Sequence, residues 1–177
     1  MGHVDHGKTT LLDSYRDSRI ADGEHGGITQ KVGGFMVNTD FGKITFIDTP
    51  GHALFTNMRK RGVKCTDMVI LIISAVEGVQ NQTHEILKIL EEERIPFVIA
   101  LNKIDAEKAD TDKVEQQLHD LGVDIETAGG NIPVIHISAL ERLNIDLLLE
   151  LVLFEADNYN ITGSKKRAGV GITLESK

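Results

Sequence analysis

MGHVDHGKTT, residues 1–10, decides how this chain is read. Gly2, His3, Val4, Asp5, His6, Gly7, Lys8 and Thr9 follow the spacing GxxxxGK[ST], in which a glycine-bounded loop turns successive backbone N–H groups inward around a triphosphate. The helix that such a loop opens adds the positive end of its dipole. Lys8 then neutralises the β and γ oxygens and the Thr9 hydroxyl ligates Mg²⁺, with Thr10 beside it in the nucleotide site. Taken alone, the stretch is also a glycine turn capping a helix over residues 8–16, so the rest of the chain must arbitrate. Two competing metal sites fall away: His3 and His6 have no third histidine or cysteine nearby, and after His84 and Glu85 the position that a zinc motif reserves for histidine holds Lys88.

A phosphate loop joins a strand to a helix, and only Met1 stands before Gly2. The expectation is therefore a domain lacking its first strand, and a 177-residue chain prone to unfolding or aggregation through unpaired backbone.

Composition narrows the class. Hydrophobic content of 41% and charged content of 26% suit one globular domain with a proper core. A net charge of −8 argues against a phosphate-backbone binder, and no apolar run approaches the roughly 20 residues that span a bilayer, so no membrane partner is expected. The single cysteine, Cys65, cannot close an internal disulfide, which suits a reducing compartment.

Outward from the loop, residues 44–48, 68–75, 96–102 and 133–138 are apolar runs rich in β-branched residues, the pattern of strands covered on both faces. Helical patterns over residues 82–94, 112–121 and 145–156 separate them. Strand–helix alternation implies an α/β fold: a doubly wound, mostly parallel sheet of the P-loop NTPase type. Residues 35–48 read as a hairpin turning at Asp40–Gly42, so one edge strand is antiparallel. The polar stretch 159–166 marks a boundary: residues 1–157 form the nucleotide-binding domain, and 158–177 a linker and the start of a truncated further domain.

Three more motifs fall at strand ends, where an open α/β sheet binds its ligand. Asp48, Thr49, Pro50 and Gly51 place a carboxylate for water-mediated Mg²⁺ contact beside a glycine whose N–H can sense the γ-phosphate. Asn102, Lys103, Ile104 and Asp105 follow the third run. The Asp105 carboxylate can accept both N–H groups of guanine's Watson–Crick edge, which adenine does not offer; Lys103 lies along base and ribose, and Asn102 ties this loop to the phosphate loop. Ser138, Ala139 and Leu140 follow the fourth run, where backbone N–H groups can meet guanine O6. Each motif alone has a bland reading as a turn. In this order they describe a site for GTP and GDP.

GHVDHGKT followed by DTPGH resembles the translational GTPases. Residues 21–30, with GEHGGITQ, and 49–62, TPGHALFTNMRKRG, are similar specifically to the translation initiation factor 2 family, and the tail AGVGITLES is similar to the start of that family's β-barrel domain. The resemblance implies a ribosome-stimulated GTPase that promotes initiator tRNA binding and subunit joining, with large-subunit RNA as activator, tRNA held by domains outside this chain, and a monomer. It implies that Thr29 ligates Mg²⁺ from the first switch, that Ile28 and Val4 form an apolar gate, that Asp5 holds a monovalent cation, and that His52 is the catalytic residue positioning the attacking water. Arg59 and Arg61 fall on the second switch helix and face solvent or a partner. His6 favours the bacterial and organellar branch; the triplet Ser138–Ala139–Leu140, where lysine often ends it, points to a mitochondrial setting, with the bacterial cytoplasm as the alternative. Val76, Glu77 and Gly78 depart from the family's ADDG, and Glu141, Arg142 and Leu143 from its glycine-bearing loop. Another translational GTPase, elongation-type or selenocysteine-specific, is the nearest rival; a GTP-gated binding module without hydrolysis is the other, and an intact His52 speaks against it.

Overall fold

In the computed structural model of the chain, residues 1–16, 33–39, 42–48 and 56–163 are described. The elements in order are α1 (Lys8–Arg16), β1 (Gly33–Thr39), β2 (Gly42–Asp48), α2 (Thr56–Lys64), β3 (Val69–Ser74), α3 (Asn81–Glu93), β4 (Phe97–Asn102), α4 (Thr111–Asp120), β5 (Val134–His136) and α5 (Ile145–Asn158).

The apolar runs form the strands that their composition demands. β3 and β4 pair in parallel from Val69 with Phe97 to Ser74 with Asn102, and β4 pairs in parallel with β5 from Ile99 with Val134 to Leu101 with His136. Their side chains alternate between two cores. Leu71, Ile73, Ile99 and Leu101 pack toward α2, α3 and α4 around Val63, Ile86, Leu90 and Leu118. Ile72, Val98 and Ala100 pack the other way, against Leu11 of α1 and Leu148 and Val152 of α5. Helices on both faces explain why these strands are apolar along nearly their whole length, polar residues coming only at their carboxyl ends, and each buried valine, leucine or isoleucine side chain contributes about 1.5–3 kcal/mol.

Local signals set the helix ends. At α3, the Gln80 side chain and the Thr83 hydroxyl (Gln80 N to Oγ1, 3.2 Å) satisfy each other's backbone donors; at α4, Asp110 Oδ1 accepts from Lys113 N at 3.0 Å.

The hairpin is real but sits apart. β1 and β2 pair antiparallel from Gly33 with Asp48 to Thr39 with Gly42, as a two-stranded sheet of their own; two residues of the expected turn, Asp40 and Phe41, lie outside the described residues. The antiparallel strand pair is as expected, and it stands beside the parallel sheet rather than hydrogen-bonded into it among the described residues. Met1 and Gly2 pair in parallel with β3: Met1 N donates to Ile70 O at 2.7 Å and Ile72 N to Met1 O at 2.8 Å. A cleft of about 810 Å³ separates the hairpin from β3, walled by Ile44 and Phe46 on one side and Ile70 and Ile72 on the other. The hairpin is held instead by side chains: Phe46 stacks between Tyr15 and Phe35, at 5.4 Å from each, and packs on Leu12 and Leu149.

Parallel pairing puts the chain leaving Gly2, β3, β4 and β5 at one rim. That rim carries the candidate site. Among the described residues no helix is long and apolar enough to cross a membrane.

Candidate functional site

The loop from Gly2 to Gly7 closes onto the start of α1. Gly7 adopts φ +84°, open to glycine and costly for other residues, and its carbonyl accepts the α1 bond from Leu11 N at 3.0 Å. Lys8 is buried to 5% exposure, and its ammonium reaches back into the loop, donating to His3 O at 2.5 Å and Val4 O at 3.4 Å. Thr9 and Thr10 are half-buried on the first turn of α1, and Asp5 is exposed at the loop's tip.

The two histidines of the loop behave differently. His6 is fully buried, its Nδ1 bonded to Ile72 O at 3.2 Å, so Nδ1 carries the proton and Nε2 presents a lone pair. Burial pushes the His6 imidazole down to about 4, against smaller upward pulls from Ile72 O and the Glu77 carboxylate. His3 is half-buried, lies with its ring 5.0 Å from that of His6 in a tilted pair, and bonds the Gln82 side chain. Among the described residues no group of three metal-ligating side chains assembles.

Asn102, the last residue of β4, joins three loops. Its Nδ2 donates to His6 O at 2.8 Å, and its Oδ1 accepts from Ala139 N at 2.9 Å. Only one orientation of the amide satisfies both, and the side chain is 2% exposed. Lys103 follows at φ +67°, a left-handed backbone that swings the chain out of the sheet, and Ile104 N ties the turn back to Ile137 O at 3.3 Å. Asp105 stands exposed beyond it.

The third loop is shaped by Ser138, buried at the end of the fourth run. Its amide and carbonyl exchange bonds with Leu143 at 3.1 and 2.9 Å, and its hydroxyl accepts from Glu141 N at 3.0 Å. Ala139 is buried and Leu140 projects into solvent. Asp48, closing β2, is buried and lines the cleft together with Lys8.

The structure thus brings together the phosphate loop, Asn102 with its following turn, and the Ser138–Ala139–Leu140 turn; Asp48 lines the same cleft as Lys8. Thr29, Ile28, Thr49, Pro50, Gly51 and His52 lie outside the described residues, and Arg61 is exposed on α2. One site residue escaped the sequence reading. Glu77, in the turn after β3, bonds Lys103 Nζ at 3.0 Å and stands 4.0 Å from His6 Nε2. Its only signal was a carboxylate at a strand's carboxyl end.

Residues 1–158 match the elongation factor Tu GTP binding domain family. Translation initiation factor IF-2 of Chloroflexus aurantiacus is 46% identical over 177 residues, covering 100% of this chain and 24% of that protein. Its counterpart in Proteus vulgaris is 46% identical over 176 residues, covering 99% and 19%. Among solved structures, GDP-bound aIF5B from Aeropyrum pernix is 33% identical with a TM-score of 0.63, covering 89% of this chain and 35% of that one. Translation elongation factor SelB from Methanococcus maripaludis, in complex with the GTP analogue GPPNHP, is 27% identical with a TM-score of 0.69, covering 89% and 33%. This chain spans about a quarter or less of the curated relatives it matches.

Proposed function

The chain belongs to the elongation factor Tu GTP-binding domain family, and from that premise we propose that it is the GTP-binding and GTP-hydrolysing switch of a translation initiation factor. The observation that carries the proposal is Asn102, whose buried side chain bonds at once to the loop assigned to the phosphates and to the loop assigned to guanine O6.

In this reading the inward backbone of residues 2–7 and the Lys8 ammonium hold the phosphates. The oxygen donors Thr9 and Asp48, with Thr29, suit a hard cation, and Mg²⁺ bound there would neutralise charge developing on the phosphates. Asp105 accepts both N–H groups of guanine, and Lys103 covers base and ribose. Of the three amides in the Ser138–Ala139–Leu140 turn, Ser138 donates to Leu143 and Ala139 to Asn102, so guanine O6 is assigned to Leu140. Gly51 senses the γ-phosphate and His52 orients the attacking water. Asp5 is the assigned contact for a monovalent cation.

The ribosome, through large-subunit RNA, supplies the activation, an effect of about 10³–10⁵-fold in related switches. Initiator tRNA is held by parts of the protein beyond residues 1–157, the chain acts as a monomer, and its compartment is the mitochondrion or the bacterial cytoplasm. Identity to initiation factors well above that to the elongation factor of the solved complex favours initiation over the elongation-type alternatives.

The test is base selectivity. GDP should bind at least ~10³-fold more tightly than ADP, and Asp105→Asn should move the preference to xanthosine diphosphate. Equal binding of GDP and ADP refutes the proposal.

A further inference from the structure

We infer that Glu77 is a positioning residue of the nucleotide site, holding Lys103 in place from the turn after β3. The inference rests on the base-side role given to Lys103 above.

The turn carrying Glu77 is rigid. Ser74 Oγ accepts from Val76 N and Glu77 N, each at 3.2 Å, and Ser74 O accepts from Gly78 N at 2.8 Å. Gly78 then turns at φ +71°, a conformation that favours glycine, and lies against the Gln117 side-chain amide. Below, Ala75 is bonded to both neighbouring loops: its amide donates to Asn102 O at 2.7 Å and its carbonyl accepts from Asp110 N at 2.9 Å. The Gln80 amide caps Glu77 O at 2.8 Å. The backbone of Glu77 is therefore fixed relative to the β4 turn, and only its side-chain rotamer is in play.

Two neighbours bias that rotamer in the same direction. Lys103 Nζ attracts Oε1 at 3.0 Å. His6, with its proton committed to Ile72 O, turns the Nε2 lone pair toward Oε2 at 4.0 Å. Two acceptors facing each other repel, so the carboxylate is pressed toward the lysine. Burial raises the Glu77 carboxyl, and the Lys103 bond and charge outweigh it, keeping the group ionised. Lys103 gains from being held: its left-handed backbone points the stem outward, and a free four-carbon side chain would sweep many rotamers before covering a base. Glu77 thus ties the turn after β3 to the turn after β4 by charge, while Asn102 ties the end of β4 to the phosphate loop by a buried amide.

The experiment is a double-mutant cycle on GDP affinity in the 177-residue chain, with Glu77→Gln, Lys103→Met and the pair. Glu77→Gln should raise the GDP Kd about two- to fivefold, the scale of a half-exposed ion pair, with the melting midpoint held within about 1 °C. In the Lys103→Met background it should add nothing. The two- to fivefold effect should also fade in about 0.5 M salt, a readout that needs no lysine variant. Equal weakening in both backgrounds, salt-independent weakening, no effect, or tighter GDP binding by Glu77→Gln each overturns the inference. A chain that selects GDP over ADP without this coupling loses the inference alone; one with no such selectivity loses the proposed function as well.

Discussion

Asn102 and His6 lie 96 residues apart in sequence, and the Asn102 amide donates to the His6 carbonyl at 2.8 Å in a buried contact. Since Asn102 Oδ1 also takes the Ala139 amide, one side chain sets the separation of three loops.

Asn102→Ala should strip partners from a buried carbonyl and a buried amide together. Unpaired buried groups cost about 1–3 kcal/mol each, so a loss of roughly 2–4 kcal/mol is expected. Urea unfolding of variant and parent measures it; a difference under about 0.5 kcal/mol would show that water replaces both bonds.

Gly7→Ala acts on the same contact from the other side. The position needs φ +84°, and an added Cβ would run into Asn102 Nδ2. The expected cost is about 1–3 kcal/mol in stability, with GDP affinity falling by about tenfold or more as the loop is displaced. Calorimetric titration of GDP against the folded variant reads the second effect separately from the first.

His6 should give stability a pH slope. Its unfolded imidazole takes a proton below about 6.5, and the folded one resists until about 4. The unfolded state therefore binds more protons between those values, so the His6 contribution is complete above about 6.5 and falls as pH drops toward 4, by on the order of 3 kcal/mol. Denaturant midpoints at a series of pH values for the parent and for His6→Asn should diverge in slope across this window. Parallel curves would mean that the ring accepts its proton in place.

His52→Ala addresses hydrolysis. Ribosome-stimulated GTP turnover should fall at least ~100-fold while GTP affinity changes little, the signature of a group used only at the transition state. Single-turnover phosphate release with ribosomes present checks it. Full activity in the variant removes the water-positioning role.

The strands, the helices and the motifs at strand ends were legible because each is a local pattern: near-continuous apolar runs need cover on both faces, and a glycine-bounded loop before a lysine, ambiguous alone, takes its reading from the order of the motifs after it. What only the tertiary structure decided depends on groups distant in sequence. A histidine within a glycine loop gives no sign of burial until Gly2 pairs with Ile72 and brings the ring onto the Ile72 carbonyl. Glu77 looks like any turn carboxylate until parallel pairing of β3 with β4 aligns Ser74 with Asn102, and so places the next turn beside Lys103. The hairpin's separation from the parallel sheet is likewise a matter of which backbone edges meet, and period-two patterning marks faces of a strand without naming its neighbour.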